Sequence, residues 1–107
     1  NVSLVDLAFV PARAVSKEEL NAAVKEASET HLAGILAYEE DPTVSIDFNH
    51  NPHSSCFAAA QTTVTKDGLV RVVSWYDNEW GFANRMLDTG RAIGMSLRSD
   101  QNLAIAS

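Results

Sequence analysis

The stretch 74–82, SWYDNEWGF, lies where an apolar strand pattern ends and a helical pattern begins. Asp77 precedes the helical pattern, and an aspartate before an apolar run is a common helix N-cap. The two tryptophans place rigid apolar walls beside carboxylate and amide groups, a composition suited to orienting a flat polar ligand. On composition alone this stretch is either a well-packed helix start or a ligand site.

Upstream of this stretch the sequence predicts two strands and one helix before residue 40. The segment Val2–Val10 carries apolar residues on both faces, which is typical of a strand inside a sheet or at a subunit interface. A capping box at 16–19, SKEE, predicts a helix, and Gly34 offers its C-terminal stop. Residues 35–38, ILAY, then predict a short strand.

The sequence from residue 44 to residue 75 predicts strands only. The alternation of Val44, Ile46 and Phe48 indicates one strand, and Ser54–Thr65 a longer one. The turn 66–68, KDG, predicts a hairpin onto a last strand, Leu69–Trp75.

The segment after Asp77 predicts a helix whose apolar residues cover too wide an arc for one packing surface, so we expect it to have a partner on a second side. The order of elements predicts an α+β fold, with a mixed, largely antiparallel sheet and helices on one face. Residues 1–97 form the predicted domain, and 98–107 a poorly ordered tail.

Composition excludes several classes of function. The chain has 107 residues, 46% of them apolar, and a net charge of -6, which disfavours nucleic acid as a partner. No apolar run approaches the roughly 20 residues that cross a bilayer, so we expect no membrane partner and a cytoplasmic location. The first residue is not Met, and we expect the chain to be a piece of a longer protein.

Two clusters of reactive side chains have alternative interpretations. His50 and His53 with Asp47 could bind a metal, but the turn-forming residues around them explain the loop, and we predict no metal site. Cys56 could act as a nucleophile beside His53, yet its strand of small residues favours a small buried hydrophobe.

The opening stretch, continued by Asn84-Arg85, resembles the C-terminal signature S-W-Y-D-N-E-x-G-[YF]-[SA]-N-[RK] of the phosphorylating glyceraldehyde-3-phosphate dehydrogenase family. The resemblance covers roughly residues 1–95. Upstream support comes from 1–7 (NVSLVDL), 23–28, 34–38 (GILAY), 44–49 (VSIDFN) and 53–55.

The resemblance implies the last third of such an enzyme, the C-terminal part of its catalytic domain. The nucleophilic cysteine, its histidine base and the Rossmann domain of the family have no match in this sequence, so we expect the isolated chain to be inactive. We expect the last helix to pack on that Rossmann domain. For the intact enzyme the resemblance implies an oxidoreductase of glycolysis and glucose metabolism that uses NAD, with NADP possible. Its substrates would be an aldose phosphate and inorganic phosphate, and its assembly a homotetramer.

Three residues carry family roles over to this chain. Asn78 matches the asparagine whose amide pairs with the carboxamide of nicotinamide, a pairing that suits an amide's donor and acceptor. Tyr76 matches a tyrosine in the active-site wall, which helps exclude water. Phe82 stands where many members have a tyrosine beside the nicotinamide ring, so stacking is kept and the hydroxyl is lost.

Two other functions fit the same residues. The related erythrose-4-phosphate dehydrogenase, an enzyme of vitamin B6 precursor synthesis, shares 47–50 (DFNH), Pro52-His53 and most of 78–88. Tyr76 and the triplet 55–57 (SCF) favour the glyceraldehyde-3-phosphate enzyme. A non-catalytic assembly or binding domain is the third reading, because the apolar strand and the last helix both need cover.

Overall fold

A computed structural model describes the backbone of residues 1–106 and the side chains of residues 1–98. The chain forms five strands and two α-helices, which in chain order are β1 (Val2–Phe9), α1 (Lys17–Glu29), β2 (Leu36–Glu39), β3 (Ser55–Ala58), β4 (Thr63–Val64), β5 (Val70–Asp77) and α2 (Asn78–Ala106). Two short 3-10 helices lie between them, at Ser45–Phe48 and Ala59–Gln61.

The strands form one mixed sheet in the order β1-β5-β3-β2, and β4 also pairs with β5. All pairs are antiparallel except β2 with β3, which are parallel. The prediction of an α+β fold with a mixed, largely antiparallel sheet is therefore confirmed. The predicted hairpin is confirmed as well, since β4 and β5 are joined by a tight turn in which Gly68 has φ +94°.

The two faces of the sheet are covered unequally. On one face, the Phe48 ring stacks on Trp75 at 5.8 Å between centroids, above the buried residues Cys56 and Val73. The opposite face carries a partly open apolar groove of about 340 Å³, lined by Val5, Leu7, Ser54, Ser55, Phe57, Val72, Ser74 and Tyr76. Buried residues nevertheless lie on both faces, since Val70 and Phe57 are buried on the side of the groove.

Helix α1 is held at the β2 edge of the sheet. Ser16 caps it as predicted, its Oγ accepting a hydrogen bond from the Glu19 backbone N–H at 3.0 Å. The Asn21 side chain donates to the carbonyl of Ala59 at 3.0 Å, and Lys25 lies 5.7 Å from the centre of the Tyr38 ring. These contacts fix one side of α1, while its other side faces solvent.

Helix α2 projects away from the sheet. Its 29 residues span roughly 44 Å, and they raise the radius of gyration to 17.9 Å, where a compact chain of this length has about 13 Å. Up to residue 98 the large apolar side chains of α2 are exposed, among them Phe82, Met86, Leu87, Ile93, Met95 and Leu97. Within the described residues, no helix combines the length and the apolar character that crossing a membrane requires.

Two predicted strands differ from the structure. The strand predicted from Val44, Ile46 and Phe48 is wrong, because Val44 and Ile46 face solvent and only Phe48 is buried, in a 3-10 turn. Asp47 stabilises that turn by accepting a hydrogen bond from the Val44 N–H at 2.8 Å. The strand predicted over Ser54–Thr65 is broken by the second 3-10 turn, where the Thr62 N–H bonds the Ala59 carbonyl.

The predicted division into a domain over 1–97 and a tail over 98–107 stays a prediction. The backbone of α2 continues to Ala106, whereas the side chains from residue 99 onward lie outside the described residues. The docking of α2 on a Rossmann domain also stays a prediction.

Candidate functional site

Asp77 is the residue on which the end of β5 and the start of α2 are built. Its side chain is only 3% exposed, and its two carboxylate oxygens accept backbone hydrogen bonds, Oδ1 from Trp80 at 3.0 Å and Oδ2 from His50 at 2.9 Å. These N–H groups, Trp80 first and then His50, hold the pKa of Asp77 below its usual value. The N-cap predicted from sequence is confirmed, and the same carboxylate also anchors a distant loop.

That loop reaches α2 through His50. His50 has φ +61°, a left-handed conformation that is uncommon for residues other than glycine. Its imidazole lies 4.9 Å from the Trp80 ring, centre to centre, at a 40° tilt. The backbone bond to Asp77 and this ring contact together keep the unusual conformation in place.

Two further contacts press the loop against the first turns of α2. A Cβ added at Gly81 would lie 3.2 Å from the carbonyl oxygen of His53, so the loop backbone crosses the helix at van der Waals distance. One turn on, Arg85 Nη1 donates to the Ser54 hydroxyl at 3.1 Å. We refer to residues 49–54 and 77–85 together as the junction.

Asn78, the first residue of α2, lies at the rim of the junction and is exposed. Its backbone N–H donates to the Asn1 carbonyl at 3.2 Å, and its side-chain Nδ2–H donates to the Ser3 hydroxyl at 2.9 Å. Its Oδ1 receives no hydrogen bond from the described residues. Asn78 therefore presents an acceptor oxygen on a well-supported backbone.

Tyr76 lies on β5 and the other two predicted site residues on α2, but Tyr76 is the cross-strand partner of Ser3, whose hydroxyl bonds the Asn78 amide. Tyr76 lines the open groove on the sheet face. Phe82 lies four residues after Asn78 on α2, so the two share one side of the helix. The Phe82 ring is 67% exposed and opens a shallow groove of about 370 Å³ that runs along α2 past Met86 to Ile93. Asn78 and Phe82 thus share one side of α2, while Tyr76 lies on the groove face of the sheet, directly across from Ser3.

The structure gives no support to the two alternative chemical sites. Cys56 is fully buried, and burial, followed by the charge of Glu39, raises the pKa of its thiol to about 11, which keeps it protonated at neutral pH. The His53 ring lies 2.8 Å from the Asn51 side-chain oxygen through Nδ1. In the part of the chain that the structure describes, no three His, Cys, Asp or Glu residues gather as metal ligands would.

Several residues of the site carry no signal in the sequence. Ser3, which accepts a hydrogen bond from the Asn78 amide, and Ser54, which accepts one from Arg85, lie in apolar or turn-rich segments far along the chain from their partners. His50 contributes through its backbone N–H and its ring. Only the sheet register, which pairs Ser3 with Tyr76, could have placed Ser3 beside the start of α2.

A comparison with protein families matches residues 1–78 to the C-terminal domain of glyceraldehyde 3-phosphate dehydrogenase. The match ends at Asn78, so most of α2 lies beyond it.

Similar curated proteins carry the same name. The glyceraldehyde-3-phosphate dehydrogenase of Xanthobacter flavus is 60% identical over 94 residues, which cover 88% of this chain and 28% of that protein. The enzyme of Cereibacter sphaeroides is 54% identical over 97 residues, covering 91% of this chain and 29% of the relative. The chromosomal enzyme of Cupriavidus necator is 59% identical over 93 residues, covering 87% and 27%. The chain thus spans less than a third of the length of these relatives.

Proposed function

Because the chain belongs to the glyceraldehyde-3-phosphate dehydrogenase family through its C-terminal domain, we propose that it forms part of an NAD-dependent oxidoreductase of glycolysis. The intact enzyme oxidises glyceraldehyde 3-phosphate to 1,3-bisphosphoglycerate in the cytoplasm, with inorganic phosphate as second substrate. The identity of 60% to a relative that bears this enzyme's name supports the proposal.

The observation that carries the proposal is the surface formed by Asn78 and Phe82. Asn78 presents a free amide oxygen, and Phe82 an exposed aromatic ring one helical turn away. Such a pair suits a flat heteroaromatic ring that bears a carboxamide, because the ring can stack and the amide can donate a hydrogen bond. The described residues therefore fit the nicotinamide end of NAD or NADP, which supplies the hydride acceptor when bound.

The proposal assigns no chemical step to this chain alone. Covalent aldehyde oxidation needs a reactive thiolate and a base beside it, and Cys56, the one cysteine, is buried and protonated. In the proposed enzyme Asn78 and Phe82 hold and orient the nicotinamide. Tyr76 forms a wall that keeps water from the reacting atoms.

An assay that separates binding from chemistry tests the proposal. We expect the intact dehydrogenase to reduce NAD with glyceraldehyde 3-phosphate and phosphate, and the isolated 107-residue chain to show no turnover. Asn78→Ala in the intact enzyme should weaken NAD binding about tenfold, as expected for losing one well-placed hydrogen bond and the order it imposes. NAD reduction by the isolated chain, or unchanged NAD binding by Asn78→Ala, would contradict the proposal.

The same assay decides between the two aldose phosphates. The relatives reported above are all named glyceraldehyde-3-phosphate dehydrogenase, which supports glyceraldehyde 3-phosphate over erythrose 4-phosphate as the substrate. We expect a higher kcat/KM for glyceraldehyde 3-phosphate than for erythrose 4-phosphate. The reverse order would assign the chain to the erythrose-4-phosphate branch.

An assembly role accompanies the catalytic one in this proposal. The exposed apolar residues of β1 and α2 need cover, which we propose comes from the rest of the enzyme and from other subunits of a homotetramer.

A further inference from the structure

Two residues that are equally good helix N-caps stand side by side at the start of α2. Asp77 and Asn78 both belong to the types most favoured at this position, and the preference of the side chains gives neither of them the advantage. A cap side chain accepts a hydrogen bond from the N–H two or three residues on, so Asp77 suits Trp80 and Asn78 suits Gly81. Only one of them can be the cap, because the helix begins at the residue after it.

The cap of α2 is Asp77. The helix begins at Asn78, and Asp77 Oδ1 accepts a hydrogen bond from the Trp80 N–H at 3.0 Å. The second oxygen, Oδ2, accepts the N–H of His50 at 2.9 Å, and Asp77 also pairs with Val2 at the end of the sheet. The roles in these bonds are fixed, since a carboxylate only accepts and a backbone N–H only donates. Contacts from the loop and the sheet therefore decide a competition that the local sequence leaves open.

The side chain of Asn78 is available for other contacts because it does not cap the helix. Its amide lies 2.9 Å from the Ser3 hydroxyl on β1, and the residue is exposed. Whichever end of the amide faces Ser3, the other end has no hydrogen bond within the described residues and is left for a ligand. As the cap, Asn78 would turn its oxygen back onto the Gly81 N–H and away from both Ser3 and the ligand.

We propose that Asp77 is a positioning residue, which caps α2 and thereby keeps the Asn78 amide available to the ligand. The inference rests on the proposed function, in which Asn78 bonds the carboxamide of nicotinamide. A side chain at position 77 that cannot cap should move the cap by one residue, to Asn78. NAD binding should then weaken although Asn78 is still present.

The test measures the dissociation constant of NAD by titration of the intact dehydrogenase. The main comparison is Asp77→Ser with Asp77→Ala, since both small side chains lack the carboxylate but only serine caps a helix well. Asp77→Asn and Asp77→Leu repeat the comparison with the volume of the buried side chain nearly kept. Ser16→Ala is the control, because it removes the cap of the other helix, α1. A thermal melt shows whether each variant is folded.

The expected affinities follow the ability of residue 77 to cap. We expect Asp77→Ser and Asp77→Asn to bind NAD within about twofold of the unaltered enzyme. Asp77→Ala and Asp77→Leu should bind it about tenfold more weakly, as Asn78→Ala does. Ser16→Ala should leave the affinity unchanged.

A double variant separates positioning from a general loosening of the fold. If Asp77 acts through Asn78, adding Asp77→Ala to Asn78→Ala should weaken NAD binding no further, and the double variant should stay about tenfold weaker than the unaltered enzyme. Independent effects of the two substitutions would instead multiply to about a hundredfold.

Three binding results overturn the proposal: Asp77→Ala binds NAD as tightly as the unaltered enzyme, Asp77→Ser weakens binding as much as Asp77→Ala, or the effects of Asp77→Ala and Asn78→Ala multiply. The proposal is also wrong if the capping variants fold and the others do not, because Asn78 then fails to replace the cap. In each case the proposed function stands as long as Asn78→Ala weakens NAD binding. If Asn78→Ala leaves NAD binding unchanged, the proposed function fails and the inference falls with it.

Discussion

The first turns of helix α2 and the following turns up to residue 98 have different surroundings. At the junction, the first turns are tied to a distant loop by the Asp77 carboxylate, the His50 and Trp80 rings, the close approach at Gly81 and the bond from Arg85 to Ser54. We call residues 86–98 the distal helix. There the large apolar side chains face solvent, Met86 at 60% and Leu87 at 73% exposure.

This difference suits the separate roles that we propose for the two parts of the helix. A residue that orients a ligand must be held by neighbours whose own positions are fixed, and Asn78 lies on the part of α2 that meets this condition. The contacts of the distal helix do not explain its exposed apolar residues, and we propose that these residues face an interface with the rest of the enzyme or with other subunits. The following predictions test the two halves of that statement.

The largest effect is expected from Asp77→Ala. It leaves the backbone N–H groups of Trp80 and His50 without their acceptor and releases the loop from the helix. Ser16→Ala is the matched control, because it removes an N-cap that satisfies a single N–H and costs about 1 kcal/mol. Urea unfolding should show a loss for Asp77→Ala more than twice that for Ser16→Ala. Equal losses would mean that the loop contact adds nothing.

Acidification should reduce the contribution of Asp77 to the free energy of unfolding over a defined pH range. The pKa of Asp77 is lowered by the donated N–H groups, so its carboxylate stabilises the fold fully above the unfolded-state pKa of about 3.9, and this contribution disappears as the pH falls through the lower folded-state value. Asp77→Asn offers only one acceptor to two donors. Its deficit against the unaltered chain should stay constant from about pH 7 to about pH 5 and shrink below about pH 4. Asp6, Glu19 and Asp67 also have lowered pKa values, but both proteins share them. A deficit that grows on acidification would contradict this prediction.

The junction also shows which features of the fold could be predicted from the sequence. Helix α2, its Asp77 cap and the hairpin at Gly68 could be predicted, because each depends on residues close together in the chain. The anchoring of His50 and the hydrogen bond that Asn78 donates to Ser3 could not, since they depend on the sheet register and on a loop path that local patterns do not encode.

The wrong strand at 44–48 has the same origin. Val44, Ile46 and Phe48 alternate as a buried strand would, but the sheet offers a partner only to Phe48, which stacks on Trp75. Tertiary context therefore overrides a correct local pattern.

Gly81 in the junction and Gly90 in the distal helix allow the two regions to be compared by the same substitution, glycine to alanine. Replacing a helical glycine by alanine stabilises by about 1 kcal/mol when nothing obstructs the methyl group. Gly90 has no atom within 4 Å of the added Cβ, whereas at Gly81 the His53 carbonyl oxygen lies 3.2 Å away on a tethered loop. Gly90→Ala should raise the free energy of unfolding, followed by circular dichroism, by about 1 kcal/mol. The gain from Gly81→Ala should be smaller than this by about 1 kcal/mol or more. Equal gains would show that the loop yields freely and that the junction is loose.

The smallest effect on stability is expected in the distal helix, where the paired change Met86→Gln and Ile93→Gln replaces exposed apolar side chains. Because these side chains lose little solvent contact on folding, the free energy of unfolding should change by no more than about 0.5 kcal/mol. Arg91→Gln is the control on the same helix. Sedimentation should distinguish the two proteins. We expect the unaltered chain to self-associate through this surface, because the rest of the enzyme is not there to cover it, and we expect the double variant to remain monomeric. If the unaltered chain stays monomeric at high concentration and the double variant still assembles normally into the intact enzyme, the distal helix is not an interface, and its apolar residues need another explanation.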